Sequence, residues 1–465
     1  MHMISQKSYI GNPHGGWFSW ELKFLVVFLA LISFSNLVFS DNTFALYTPT
    51  LSASVDQTNL QVNGNQVINS TDKTTEVSLN LIVNTNNKTG YTATLNSETD
   101  ETALMNAGSI SGAKINSIDT NKILTNFLQN TWGYKIGSAT DYSPIPALST
   151  PSQILKTTGK TNGDETNNLK LGMKLGETLE SGSYKNKLIF SILTNNYERI
   201  AIMANGPFFN TKLRLLETAT NKIEHLKKSP TPPAITANVK NIENGDSDYE
   251  IKLWLDQADK TAYYYTEPEK VYLNKDSSRM FFNMPNILSL DLSSFDTSRV
   301  MNMEGMFSHM SSLTSLDLSN FDTSKVTEMG GMFLEMLSIS SLNLSNFNTQ
   351  NVKNMNGMFK NMKRLATLDI SNFNTSNVEG MQLMFAVEHL GEVYSMVDDR
   401  LSVIYVNNDF DTTKLTKRHS DTMIFRGRKK LRGGNGSYLA DPSYADKTWL
   451  RVDRPGVQGY FTRKS

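Results

Sequence analysis

Cysteine is absent from the 465 residues. That excludes disulfides, Cys–zinc sites, iron–sulfur clusters, thiol catalysis and the lipid-modified cysteine of a lipoprotein. Histidine is scarce: His2, His14, His225, His309, His389 and His419 are too far apart to suggest a ligand pair, and none sits in an HExxH pattern. Charge is also thin. Asp, Glu, Lys and Arg make up 19% of the chain, below the usual quarter or so. The 45 basic and 45 acidic residues cancel, so a globally basic nucleic-acid binder is not expected. Ser, Thr and Asn replace the missing charge and give a hydrated, weakly charged surface. A mean hydropathy of −0.35 argues against a multispanning membrane protein. The length leaves room for roughly two to four domains. No cofactor or metal is called for, and no enzyme is expected.

Long apolar runs are limited to Phe24–Phe39, 16 residues interrupted by Ser33, Ser35 and Asn36. A spanning helix usually needs about 20. Lys23 precedes the run and the small-x-small triplet Thr43-Phe44-Ala45 comes after it. Residues 1–45 are expected to be a secretory signal peptide, with a mature chain starting at Leu46. The long leader before the run keeps an uncleaved N-terminal anchor as the alternative.

Residues 46–198 are polar with a period of two. Val77, Leu79, Leu81 and Val83 alternate within Glu76–Thr85, and Leu169, Leu171, Met173 and Leu175 alternate within Asn168–Leu175. Tyr184–Thr194 adds another strand, and Thr89–Ser97 is expected to pair with Glu76–Thr85 across an Asn-rich turn. The expectation is an all-β, sandwich-like surface module. Its acidic pairs, Asp100-Glu101 and Asp164-Glu165, sit in polar turns and read as solvated loops. Residues 199–234 read as a helical, Pro-rich connector: Leu213, Leu216, Ile223 and Leu226 form a loose helical stripe before Pro230, Pro232 and Pro233 end it. The main domain boundary is expected there. Residues 235–280 read as a cap, with Trp254 and Tyr263–Tyr265 sealing the open end of the segment beyond Met280 or offering a ligand platform.

Residues 281–388 repeat every 26 positions. Phe281, Phe307, Phe333, Phe359 and Phe385 are in register, as are Leu292, Leu318, Leu344 and Ile370, then Phe295, Phe321, Phe347 and Phe373. A fixed period of this length signals stacked units that share one core. Leu316 and Leu318 alternate as in a strand, whereas Val326, Met329, Met332, Phe333 and Met336 fall at helical spacing. Each unit is therefore expected to be a strand, a turn and a short helix. Most of the 21 methionines lie between Met280 and Met396, and the inward spacing reads as core. Residues 389–465 read as a degenerate repeat and C-terminal cap, with Phe410 in the repeat phenylalanine position. Eight Lys/Arg between Lys414 and Arg432, including RGRKKLR, suggest either a solvated face or contact with an anionic surface polymer.

The phrase LDLSNFDTSKVTEMGGMF resembles the BspA-like leucine-rich repeat surface proteins of bacteria. The resemblance covers four units plus flanks, from about Trp254 to Phe461. That family often has cysteine where this chain has Met284, Met310, Met336 and Met362. The resemblance implies a cell-surface, adhesin-like binding protein without enzymatic activity. The expected fold is thus multidomain: an N-terminal all-β sandwich-like module, then an α/β leucine-rich-repeat-like solenoid with terminal caps.

The outward strand positions are the candidate ligand-binding face: Ser289, Asp291 and Ser293; Ser315, Asp317 and Ser319; Ser341, Asn343 and Ser345; Thr367, Asp369 and Ser371. A rigid, hydrogen-bonding face suits an extracellular protein or a glycan. The alternative is a self-associating structural protein of the cell envelope. No specific nucleic acid is expected, and the membrane is reached only through the N-terminal segment if it is uncleaved.

Overall fold

The computed structural model describes residues 46–234, 238–388, 399–416 and 421–465, together with the backbone of the strand Ser19–Phe28. The described chain forms two compact units that divide between Glu198 and Arg199, with residues 46–47 belonging to the second.

The period-two segments of the first unit are strands: Thr74–Thr85, Tyr91–Ser97, Glu165–Lys174 and Tyr184–Thr194. They belong to one branched sheet of 11 strands. Leu79, Leu81, Val83, Leu169, Leu171, Leu188, Phe190 and Ile192 meet in its core. The expected hairpin does not form. Thr74–Thr85 pairs with Leu51–Val55 and Glu165–Lys174. Tyr91–Ser97 pairs instead with Tyr184–Thr194 and Ser152–Lys156. The intervening turn is spent on a crossing held by the buried Asn87, whose Nδ2 donates to the carbonyls of Gly90 (2.8 Å) and Asn195 (2.9 Å). The other face of the sheet carries Tyr142 over Gly172, where a Cβ would lie 2.5 Å from the ring.

The run read as an export address begins inside this sheet. The strand Ser19–Phe28 lies parallel to Tyr184–Thr194 and antiparallel to Asn59–Asn63. Its continuation, residues 29–45, lies outside the described residues, as do residues 1–18. Among the described residues no helix is long and apolar enough to cross a membrane.

In the second unit the helical stripe splits. Gly206–Arg214 is a helix capped by Asn205, whose Oδ1 accepts from the Phe208 amide (2.9 Å). Leu226 belongs to the strand His225–Lys228, and the Pro-rich segment lies inside the unit. The strands Lys252–Asp256 and Thr261–Tyr265 pair antiparallel, and His225–Lys228 joins them to Ser289–Leu290.

The α/β solenoid expected for residues 281–388 is overturned, because the described residues there contain no helix. The stripe of Val326, Met329, Met332, Phe333 and Met336 is a string of tight turns. Val326 and Met332 donate to the carbonyls three residues back. The amides of Met329, Gly331, Phe333 and Glu335 leave the local chain and donate to Asn354, Asn356, Met358 and Lys360. Gly331 (φ +59°) and Glu335 (φ +59°) interrupt any right-handed helix. Stacked turns and a helix both bring side chains to one face about every three residues, so the spacing alone cannot separate them.

These bonds recur 26 residues apart. Phe281, Phe307, Phe333 and Phe359 donate to the carbonyls of Met306, Met332, Met358 and Met384 at 2.9–3.0 Å. The rings stack with them: Phe307 and Phe333 have centroids 6.1 Å apart at 4°, and Phe333 and Phe359 5.8 Å apart at 15°. Phe209 closes one end of the column edge-on against Phe281. At the other end Phe425 stacks on Phe385 (5.3 Å, 13°) and is covered by Tyr460, which packs on Trp449. The repeat columns are buried, apart from the half-buried Phe373, and the described methionines of the repeats are buried with them except for the exposed Met301.

Candidate functional site

The candidate face runs along the side opposite the turn ladder. Asp291, Ser293, Ser315, Asp317, Ser319, Ser341, Asn343, Ser345 and Thr367 are exposed, whereas Ser289, Asp369 and Ser371 are half-buried. Regular strand is confined to its two ends, Ser289–Leu290 and Thr367–Asp369. In the middle no backbone hydrogen bond joins 314–319 to 340–345 among the described residues. Side chains join the rungs there. Asn346 Nδ2 donates to the carbonyls of Leu318 (2.8 Å) and Phe321 (2.8 Å). Asn320 reaches Leu292 and Phe295 in the same way, and Asn372 reaches Leu344 and Phe347. This asparagine column was legible as a 26-residue recurrence, and its role comes from the missing backbone bonds.

Each acidic or amide member of the face is locked by its own turn. Asp291, Asp317, Asn343 and Asp369 accept through Oδ1 from the amides of Ser293, Ser319, Ser345 and Ser371 at 3.0–3.1 Å. The backbone and side chain of Ser319 hold the Asp317 carboxyl below its ordinary range. For Asp369, partial burial pushes upward, but Lys464 and Ser371 win and the net direction is down. Lys464 Nζ lies 2.6 Å from Asp369 Oδ2. Asp317 and Asp369 are thus charged, fixed acceptors rather than proton carriers. No group of three or more His, Asp or Glu is arranged to hold a metal among the described residues.

A Ser–His–Glu chain does occur on the turn side: His309 Nδ1 is 2.6 Å from Ser308 Oγ, and its Nε2 is 3.3 Å from Glu335 Oε2. Ser308 is only 1% exposed, which leaves no approach for a carbonyl. The arrangement ties neighbouring rungs together.

The basic segment is not a uniform patch. Arg428 is fully buried, ion-paired with Asp399, and its guanidinium donates to the carbonyls of Phe385 and Phe359. Desolvation pushes its pKa down, against the pull of Asp399. Arg426 pairs with Glu388, and Arg432 lies over the Tyr438 ring. Lys417 and Arg418 lie outside the described residues.

The match to known families falls on the turn ladder and its polar face. Residues 275–392 match the family model described as "Mycoplasma protein of unknown function, DUF285". The match spans about a quarter of the chain. It begins at Lys275, whose carbonyl accepts from Met301 and Asn302 at the start of the ladder. The family description assigns no activity, and the likeness to BspA-like proteins rests on the repeat phrase alone. No curated protein matches the chain.

Proposed function

We propose that the chain is a secreted or surface-anchored, adhesin-like binding protein that engages an extracellular protein or glycan through the polar face from Ser289 to Ser371. The observation that carries this reading is the locking of that face. Asp291, Asp317, Asn343 and Asp369 are each fixed by a backbone amide, and asparagine side chains hold the rungs in step. A face already ordered loses little entropy on binding, so weakly charged hydroxyls and carboxylates can yield net affinity. Export rests on the sequence of the apolar run Phe24–Phe39 alone, since the strand Ser19–Phe28 takes its first five residues into the sheet of the first unit. End-to-end self-association is disfavoured, since Phe209 at one end and Tyr460 at the other cover the phenylalanine column. The test is capture of surface components by the full chain, compared with a variant carrying Asp291→Ala, Asp317→Ala and Asp369→Ala. Loss of capture in a folded variant supports the reading. Unchanged capture moves the contact away from this face.

A further inference from the structure

The outward face of the sheet that precedes the repeats leads directly into the Ser289–Asp291 end of the polar face. Trp254 and Tyr263 are cross-strand partners there, with ring centroids 5.8 Å apart and planes within 26°. Leu253, Ala262 and Tyr264 are buried in the core, so strand alternation turns Trp254 and Tyr263 outward. The next strand sets Lys227 beside Tyr263 and His225 beside Thr261. Beyond it, His225 Nδ1 lies 2.7 Å from Ser289 Oγ. The Tyr263 hydroxyl donates to Asp259 Oδ2 at 2.9 Å, and Lys227 is exposed.

We propose that Trp254 and Tyr263, bordered by Lys227, Asp259, His225 and Ser289, form a platform that binds a neutral oligosaccharide. The inference rests on the binding role proposed above and names its ligand class and its place. A pyranose ring offers an apolar C–H face and a rim of hydroxyls, each of which both donates and accepts. Recognising it takes a flat aromatic surface next to a mixed set of donors and acceptors. The two rings stack on one another and both residues are half-buried, so the surface is the outer face of the pair. An ammonium, a carboxylate, an imidazole and a hydroxyl supply the mixed set. A polyanionic glycan fits less well, because the carboxylates of Asp256, Asp259 and Asp291 share the face with the Lys227 ammonium. A protein partner would need a contiguous apolar centre, whereas hydroxyls and charges flank this aromatic pair directly.

The experiment is calorimetric titration of the full chain with chitohexaose, laminarihexaose, maltohexaose and a heparin-derived hexasaccharide. At least one neutral hexasaccharide should bind with Kd below roughly 1 mM. Trp254→Ala and Tyr263→Ala should weaken it at least tenfold, Trp254→Phe should retain most of it, and Lys227→Ala should weaken it several-fold. If circular dichroism shows Trp254→Ala unfolded, Lys227→Ala, at an exposed residue, and Tyr263→Ala carry the test. Binding of the heparin fragment alone, binding of no saccharide, or binding indifferent to all four variants overturns the proposal. Capture that depends on Asp317 and Asp369, with no saccharide response to Trp254, overturns this inference and leaves the wider reading standing. A saccharide response to Trp254 without dependence on Asp317 and Asp369 supports the platform and removes the repeat face from the wider reading.

Discussion

Thr323 both donates to and accepts from Asn348: its Oγ1 donates to the Asn348 carbonyl (3.0 Å) and accepts from the Asn348 amide (2.8 Å). Thr297 does the same with Asp322, Thr349 with Asn374, and Thr375 with Asp411 of the degenerate unit. All four threonines are 1–4% exposed. A hydroxyl thus takes the place of two strand hydrogen bonds where the rung turns a corner. Thr323→Val keeps the shape and removes both part-buried bonds, at roughly 0.5–1.5 kcal/mol each. Urea unfolding should show that loss, and Thr323→Ser should recover most of it. A Thr323→Val protein as stable as the parent would mean the two bonds are dispensable.

The positive-φ column isolates a backbone effect. Gly305, Gly331 and Gly357 have φ near +60°, and Leu383 holds the same place at φ +57°. Leu383→Gly should stabilise the fold by about 1 kcal/mol, because a left-handed conformation costs a side-chain-bearing residue about 1–2 kcal/mol. Gly331→Ala should destabilise by a similar amount. Its Cβ would have ordinary contacts, none nearer than 3.8 Å, so the cost is conformational rather than steric. Melting temperatures of the two variants should move in opposite directions.

Arg428 and Asp399 form a buried pair at the far end of the phenylalanine column. Arg428→Met leaves the Asp399 charge and the Phe385 carbonyl without their partner and should cost about 3–5 kcal/mol. Adding Asp399→Leu should recover a large part of it. Chemical denaturation of the single and double variants gives the coupling directly, and independent, additive losses would contradict a paired role.

Acid should weaken the first unit. Partial burial pushes the Glu76 carboxyl up, but hydrogen bonds from Lys170, Tyr142 and Lys135 bring it down to about 2. A carboxyl depressed in the folded state contributes stability above its unfolded pKa and loses it as pH falls toward the folded value, here from about 4.5 to about 2. Glu76 is partly exposed, so screening reduces the contribution to on the order of 1 kcal/mol. Glu180, held near 2 by Ser109, Ser111 and the Ile110 amide, titrates in the same window. Stability measured from pH 5 to 2 should fall less steeply in Glu76→Gln, and less again when Glu180→Gln is added.

Much of the candidate site was legible in the order of residues. The outward alternation of Ser315, Asp317 and Ser319 against Leu316 and Leu318 comes from the polarity of neighbouring positions. The continuity of that face with Trp254 and Tyr263 was not legible, because it depends on His225–Lys228 inserting between Thr261–Tyr265 and Ser289–Leu290. Arg428 was likewise hidden. Within RGRKKLR it is chemically equivalent to the other arginines, and only the tertiary contacts with Asp399 and with the carbonyls of Phe359 and Phe385 distinguish it.

The 26-residue recurrence by itself determined which side chains stack into buried columns, since equal spacing of large apolar residues leaves water excluded only when like meets like. Tertiary structure alone decided what the backbone does between those residues. Amides with a partner one rung away bond across the stack instead of back along a helix, and a local pattern cannot say how far away that partner is.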